Sequence, residues 1–82
     1  MSSRRNIVTS LESLGHRVRY LRKQKRWSQL ELSLRASVNK NYICELEKGR
    51  RNPTLEVLER IANAFEISLE FLFKGVESIP GL

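Results

Sequence analysis

The side chains of this sequence that could do chemistry are hydrogen-bonding and cationic, and they gather near its middle. Lys40 and Asn41 stand side by side, with Ile43 and Leu46 spaced three apart just beyond them. On a helix that spacing turns Ile43 and Leu46 inward and Lys40 and Asn41 to the opposite face. Lysine donates to guanine O6 and N7, and asparagine pairs with the N6/N7 edge of adenine. An outward Lys-Asn pair therefore carries groups that can read base edges. Groups for bond-making chemistry are absent by comparison. The one histidine, His16, and the one cysteine, Cys44, lie far apart in the sequence. They form no metal-ligand cluster, no nucleophile–base pair and no disulfide, and no glycine-rich phosphate loop occurs. An enzyme, a metal site and a bound cofactor are not expected. Cys44 falls on the outward side of the same helix, beside Lys40, Asn41 and Lys48. A thiol there could sense oxidant if its pKa were low, but the simpler expectation is a small side chain that fits close to a ligand. His16 is expected to be an ordinary exposed residue.

The elements that must position these residues read as helices throughout, with no period-2 strand. A first helix is expected over about Ser10–Lys25, opened by a Thr9–Glu12 capping box and striped with Leu11, Leu14, Val18 and Leu21. A second opens at Ser28-Gln29-Leu30-Glu31, another capping box, and ends near Arg35. Leu30, Leu34 and Ser33 are expected to face inward, and Trp27 to staple the helix entry. After the tight connection Ala36-Ser37-Val38, Asn39 caps a third helix, Lys40 to Lys48, which Gly49 closes. Arg50 to Pro53 form a loop. Thr54 caps a fourth helix ending about Phe65, with Leu58, Ile61, Ala62 and Phe65 as its buried stripe. Ser68 caps a short fifth helix that turns Leu69, Leu72 and Phe73 inward and closes at Lys74-Gly75. The remainder, Val76 to Leu82, is an apolar tail interrupted by Pro80. Five helices in 82 residues predict an all-α bundle, one domain with a small core.

The formal net charge is +6 and its distribution is uneven. Met1 to Trp27 hold eight Lys/Arg and one acid, whereas Thr54 to Leu82 hold two and five. A basic half suits a polyanion such as nucleic acid. No apolar run reaches the roughly 18 residues of a membrane span, and no long apolar stretch follows Met1–Arg5, so neither a membrane helix nor a signal peptide is expected. A lone cysteine fits a reducing cytoplasm.

Two short helices joined by a three- or four-residue turn have the form of a helix-turn-helix, here Ser28–Arg35 and Lys40–Lys48. The second can lie in the major groove with its N-terminal residues at base edges, while the first crosses the backbone. That puts Lys40 and Asn41 at the bases. Gln29, at the other helix N-terminus, and Arg50, in the following loop, would meet phosphates. At these residues the sequence closely resembles the phage repressor and Cro family, the XRE type. Trp27 to Gly49 follow that family's motif almost throughout, as do Arg50 to Leu55. Leu14 to Arg22 look like its first helix and Ile67 to Phe73 like its last, so the resemblance spans about Leu14 to Phe73. It implies a five-helix, lambda-repressor-like DNA-binding fold. It implies base contacts from Lys40, Asn41 and Glu45, the last accepting from cytosine N4 or discriminating against other bases. It implies DNA-backbone contacts from Gln29, Tyr42, Lys48, Arg50 and Arg51, and a structural salt bridge between Arg22 and Glu47 that ties the first helix to the recognition helix. The sequence departs from the family at three places. Ser37 stands where glycine usually supplies a positive φ, at a cost of about 1 kcal/mol. Ser33 replaces a small alanine, and Arg26 stands where glycine is common.

The expected organisation is a flexible arm over 1–8, a DNA-binding domain over 9–75 and a tail over 76–82. Phe71, Val76 and Ile79 fall off the inner stripe of the fifth helix, and exposed apolar groups often mark an interface. With the family's habit of binding palindromes as dimers, they predict a homodimer; the competing expectation is a tail folded over its own core. The partners expected are a double-stranded DNA operator and a second copy of the chain, with no membrane and no small-molecule ligand. The function implied is a cytoplasmic, bacterial or phage-encoded transcriptional regulator that represses or activates. Cro-like repressors and restriction–modification controller proteins are similar in size, and the Lys-Asn-Tyr-Ile start of the recognition helix slightly favours a controller. The alternative is an antitoxin-type module that also binds its own promoter, against which stands the lack of a toxin-binding extension.

Overall fold

The computed structural model describes residues 2–74 and 76, and the side chains from Ser10 onward. These residues form α1 (Ser2–Gln24), α2 (Gln29–Ala36), α3 (Lys40–Glu47), α4 (Leu55–Phe65) and α5 (Leu69–Phe73), with no strand among them. The first helix corrects an expectation. It starts at Ser2 rather than near Ser10, so Thr9 lies inside the helix instead of capping it. Nothing upstream of Gly15 is a Pro or Gly that would stop a helix, and the capping-box pattern alone does not start one.

The other four starts follow the sequence. Ser28, Asn39, Thr54 and Ser68 each turn a side-chain oxygen onto a first-turn N–H, at 3.0 Å from Glu31, 2.7 Å from Asn41, 3.2 Å from Val57 and 3.0 Å from Phe71. The ends share a device too. After α1, α2, α3 and α4 the chain passes through a left-handed residue: Arg26 (φ 61), Ser37 (φ 57), Gly49 (φ 73) and Glu66 (φ 61). After α3, the Gly49 N–H bonds to the Leu46 carbonyl and the Arg50 N–H to that of Glu45, the paired bonds of a Schellman motif. Trp27 and Arg26 make the same pair onto Arg22 and Lys23, as do Ile67 and Glu66 onto Ala62 and Asn63. The positive φ expected at Ser37 is therefore present, and Arg26 and Glu66 are two further side-chain-bearing residues in that conformation.

Every helix contributes to one core. Val18 (α1), Leu32 (α2), Ile43 and Leu46 (α3), Ile61 (α4) and Leu72 (α5) are fully buried, and the α4 stripe of Leu58, Ile61, Ala62 and Phe65 is inward as expected. Trp27 closes one end, stacked on Phe65 with ring centroids 5.6 Å apart. The face of α2 is a second correction. Leu30 and Leu34 are 51% and 68% exposed, and the residues turned inward are Leu32, Ser33 and Ala36. With leucines at 30, 32 and 34, a two-turn helix has no unique apolar side. Packing against α3 and α4 selects the one with the small Ser33 and Ala36. Arg17 ties α5 down by donating from Nε to the Leu72 carbonyl (3.1 Å) and from Nη2 to the Phe71 carbonyl (2.8 Å), which also accepts from the Lys74 N–H. Arg60 donates to the Ser37 carbonyl at 3.0 Å and holds the α2–α3 turn against α4.

The α1–α3 crossing is close at two glycines. A Cβ added at Gly15 would lie 2.5 Å from the Leu46 carbonyl oxygen and 2.7 Å from that of Glu47. At Gly49 a Cβ would lie 2.9 Å from Glu12 Cγ. Glycine at both positions lets the end of α3 rest directly on α1.

Candidate nucleic-acid interface

The outward side of α3 is aimed by what its inward side grips. Ile43 and Leu46 sit in the core, and Glu47 beside them is 7% exposed. A carboxylate so enclosed requires donors, and it has three. Arg22 Nε donates to Oε2 at 2.7 Å and Arg22 Nη2 to Oε1 at 3.0 Å, a bidentate pair. Gln29 Nε2 donates to Oε1 at 3.1 Å. Arg22, itself 8% exposed, donates its remaining Nη1 to the Trp27 carbonyl at 2.8 Å. One carboxylate at the end of α3 is thus fastened to α1 and to the first residue of α2. The Arg22–Glu47 pair expected from the sequence is present, and Gln29 joins it.

With that face fixed, Lys40, Asn41 and Lys48 lie exposed on α3, and Tyr42, Cys44 and Glu45 are half-buried. Asn39 caps through Asn41's backbone N–H, which fixes where the helix begins and hence where Lys40 and Asn41 project. Arg50 and Arg51, in the loop after Gly49, are exposed. Arg51 is not loose: its guanidinium lies 4.3 Å from the centroid of the Tyr42 ring, a cation–π contact. The stack brings the α3–α4 loop back alongside the N-terminal half of α3. Gln29 is half-buried, with its carboxamide engaged by Glu47 and its backbone N–H in the first turn of α2, where helices leave donors for anions.

These residues make a surface of Lys, Asn, Tyr, Arg and Gln groups, the chemistry that meets phosphates and base edges. Cys44 carries a free thiol within it, and His16 is exposed on α1. Among the described residues no group of His, Cys, Asp and Glu could hold a metal ion, and no helix is long and apolar enough to cross a membrane.

The residues expected at a dimer surface separate. Phe71 is 44% exposed, Val76 is half-buried against the chain's own core, and Ile79 lies outside the described residues. Beside Phe71 the sequence reading missed Tyr20, 55% exposed; the Arg17 guanidinium sits 5.1 Å from the Phe71 ring and 5.9 Å from the Tyr20 ring. It also missed Gly15. Tyr20 left a signal, since it falls off the α1 stripe of Leu14, Val18 and Leu21. Gly15 left only the oddity of a glycine in mid-helix.

The sequence matches the model of a family described as "Helix-turn-helix" over residues 18–72. It is 32% identical to the immunity repressor protein of Bacillus phage phi105 over 57 residues, which are 70% of this chain and 40% of that repressor. It is 36% identical to an uncharacterised HTH-type transcriptional regulator of Sinorhizobium fredii over 67 residues, 82% of this chain and 87% of the other. The chain spans 40%, 50% and 60% of the lengths of the first three curated relatives it matches. Among solved structures, the restriction-modification controller protein C.AhdI of Aeromonas hydrophila superposes with a TM-score of 0.75 at 33% identity, covering 77% of this chain and 96% of that one.

Proposed function

The chain belongs to the helix-turn-helix family, and from that premise we propose that it binds operator sequences in double-stranded DNA as a homodimer and so regulates transcription. The observation that carries the reading is the exposed Lys40-Asn41 pair at the start of α3, on a helix held from behind by the buried Arg22–Glu47 pair. Rigid presentation matters because base readout needs donors and acceptors placed to within hydrogen-bond geometry. In this reading α3 enters the major groove, Lys40, Asn41 and Glu45 face bases, and Gln29, Tyr42, Lys48, Arg50 and Arg51 contact the backbone. The Tyr42 stack supports Arg51 in that role by limiting the directions in which its N–H groups point. The dimer forms through the Phe71 and Tyr20 surface, where two exposed rings flank one arginine. Palindromic half-sites would then be spaced by about one helical turn, roughly 34 Å. The protein acts in the cytoplasm of a bacterium or an infected cell. Its likeness to C.AhdI over nearly that protein's whole length favours a controller-type regulator that acts on its own promoter.

Selection of bound sequences from a random-sequence duplex pool tests the reading. A two-fold-symmetric consensus with half-sites one turn apart is expected. An unenriched pool would remove operator recognition, and an asymmetric single site would remove the dimer.

A further inference from the structure

The C-terminal half of α1 and the turn after it carry four basic residues beyond those used inside the fold, Arg19 and Lys23 on the helix and Lys25 and Arg26 just past its end. Arg17 is spent on the α5 carbonyls and Arg22 on Glu47, and Lys25 lies 5.9 Å from the Trp27 ring. Arg19, Lys23 and Arg26 are different. All three are exposed, and none makes a side-chain hydrogen bond, ion pair or ring contact. Arg19 and Lys23, four residues apart, lie within about 40° of one another around α1 and about 6 Å apart along it, and Arg26 follows just past the helix end. They form a single cationic stripe.

The position of the stripe gives it a partner. One turn below His16 on the same side lies Glu12, whose side chain and backbone pack against Gly49, the residue before Arg50. At its upper end Arg26 stands three residues before Gln29. The stripe thus continues the side of α1 that meets the end of α3 at Glu12 and Gly15, and leads through Arg26 toward Gln29. No acidic residue interrupts it between Lys23 and Arg26, and the nearest acid on α1 is Glu12. Arg26 also holds its charge in a left-handed conformation (φ 61) that glycine would adopt without strain.

We propose that Arg19, Lys23 and Arg26 are a second contact surface for DNA, docking the sugar–phosphate backbone that flanks the sequence read by α3. This rests on the DNA-binding reading above and extends it: the footprint is wider than the recognition helix and its loop, and the added part is indifferent to sequence. The dimensions agree, because one strand presents a phosphate about every 3.4 Å of helix axis, or about two along the roughly 6 Å from Arg19 to Lys23. Unpaired cations along such a run gain by releasing condensed counterions.

The test is a salt titration of binding to a mixed-sequence duplex, comparing the native chain with Arg19→Gln/Lys23→Gln and with Lys74→Gln, a cation on the α5 side. Glutamine keeps the helix propensity of the exposed positions, and circular dichroism checks that the double variant stays folded. The slope of log affinity against log salt should fall by about two in the double variant, near 0.9 per lost phosphate contact. It should stay unchanged in Lys74→Gln. A second measurement shortens the duplex to the α3-protected segment alone. The native chain should lose affinity on that shorter duplex, and the double variant should not. If the native chain binds while the double variant keeps its slope and its dependence on flanking length, the stripe is a solvated surface and the inference is overturned. If the native chain itself binds no DNA, the underlying reading fails and the stripe fails with it.

Discussion

Replacing Glu47 with alanine should strongly destabilise the protein, and the reason lies in what it leaves behind. Glu47 and Arg22 are 7% and 8% exposed, and their side chains meet at 2.7 and 3.0 Å. Without the carboxylate, Arg22 keeps its bond to the Trp27 carbonyl but has a buried charge with no counter-charge. Removing one partner of a buried pair costs about 3–5 kcal/mol. At about 0.05–0.15 kcal/mol per residue, a chain of 82 residues has a total stability of about 4–12 kcal/mol. The loss is thus about a quarter of the stability or more. The pair itself need not be worth that much, since desolvation offsets most of its attraction. Arg22→Met/Glu47→Leu, which fills similar volume without charge, should therefore recover most of the loss, short of the Trp27 carbonyl's lost donor. Urea unfolding followed by circular dichroism measures both variants. A loss below about 1 kcal/mol in Glu47→Ala, or a double variant as unstable as the sum of the two single ones, would refute the argument from the stranded charge.

Ser37→Gly and Glu66→Gly, at φ 57 and 61, should each raise stability by about 0.5–1 kcal/mol in thermal unfolding, because glycine enters the left-handed region without the Cβ clash; a loss of stability would mean the turn is not left-handed in solution. Gly15→Ala puts a methyl 2.5 Å from the Leu46 carbonyl oxygen, so α1 and α3 must separate; overpacking of this kind costs about 1–3 kcal/mol, and an unchanged urea midpoint would contradict the close crossing. Phe71→Asp should shift the protein toward monomer in sedimentation equilibrium, and an unchanged dimer fraction would place the dimer surface elsewhere.

Much of this architecture was legible because it is written in local chemistry. Ser28, Asn39, Thr54 and Ser68 announce helix starts since their oxygens satisfy N–H groups only a few residues away. The α4 stripe is readable because eleven residues repeat the pattern often enough to define one face. The resemblance supplied what spacing alone does not: the Arg22–Glu47 pair, 25 residues apart, and the positive φ at Ser37. The misreadings arose where tertiary contacts decide. Thr9 and Glu12 have the pattern of a cap, but the chain before them has nothing to end a helix. Leu30 and Leu34 are spaced as a stripe, yet α2 is two turns long and its inner face is chosen by α3 and α4. Gly15 reads locally as a weak point in a helix. Its use appears only when the carbonyls of Leu46 and Glu47 are beside it. Gln29 reads as a surface residue until Glu47 is seen within reach of its amide.

The central claim is that α3 reads bases from its N-terminal turn, and Asn41→Ala tests it with the least ambiguity. The residue is exposed and uncharged, so its removal disturbs neither the core nor the salt dependence. The affinity of the native and variant chains would be measured for the selected operator and for random-sequence DNA. Operator affinity should fall by roughly 5- to 150-fold, equivalent to about 1–3 kcal/mol, with random-sequence affinity almost unchanged and preference flattened at one position of each half-site. Full retention of discrimination between the two DNAs would contradict it.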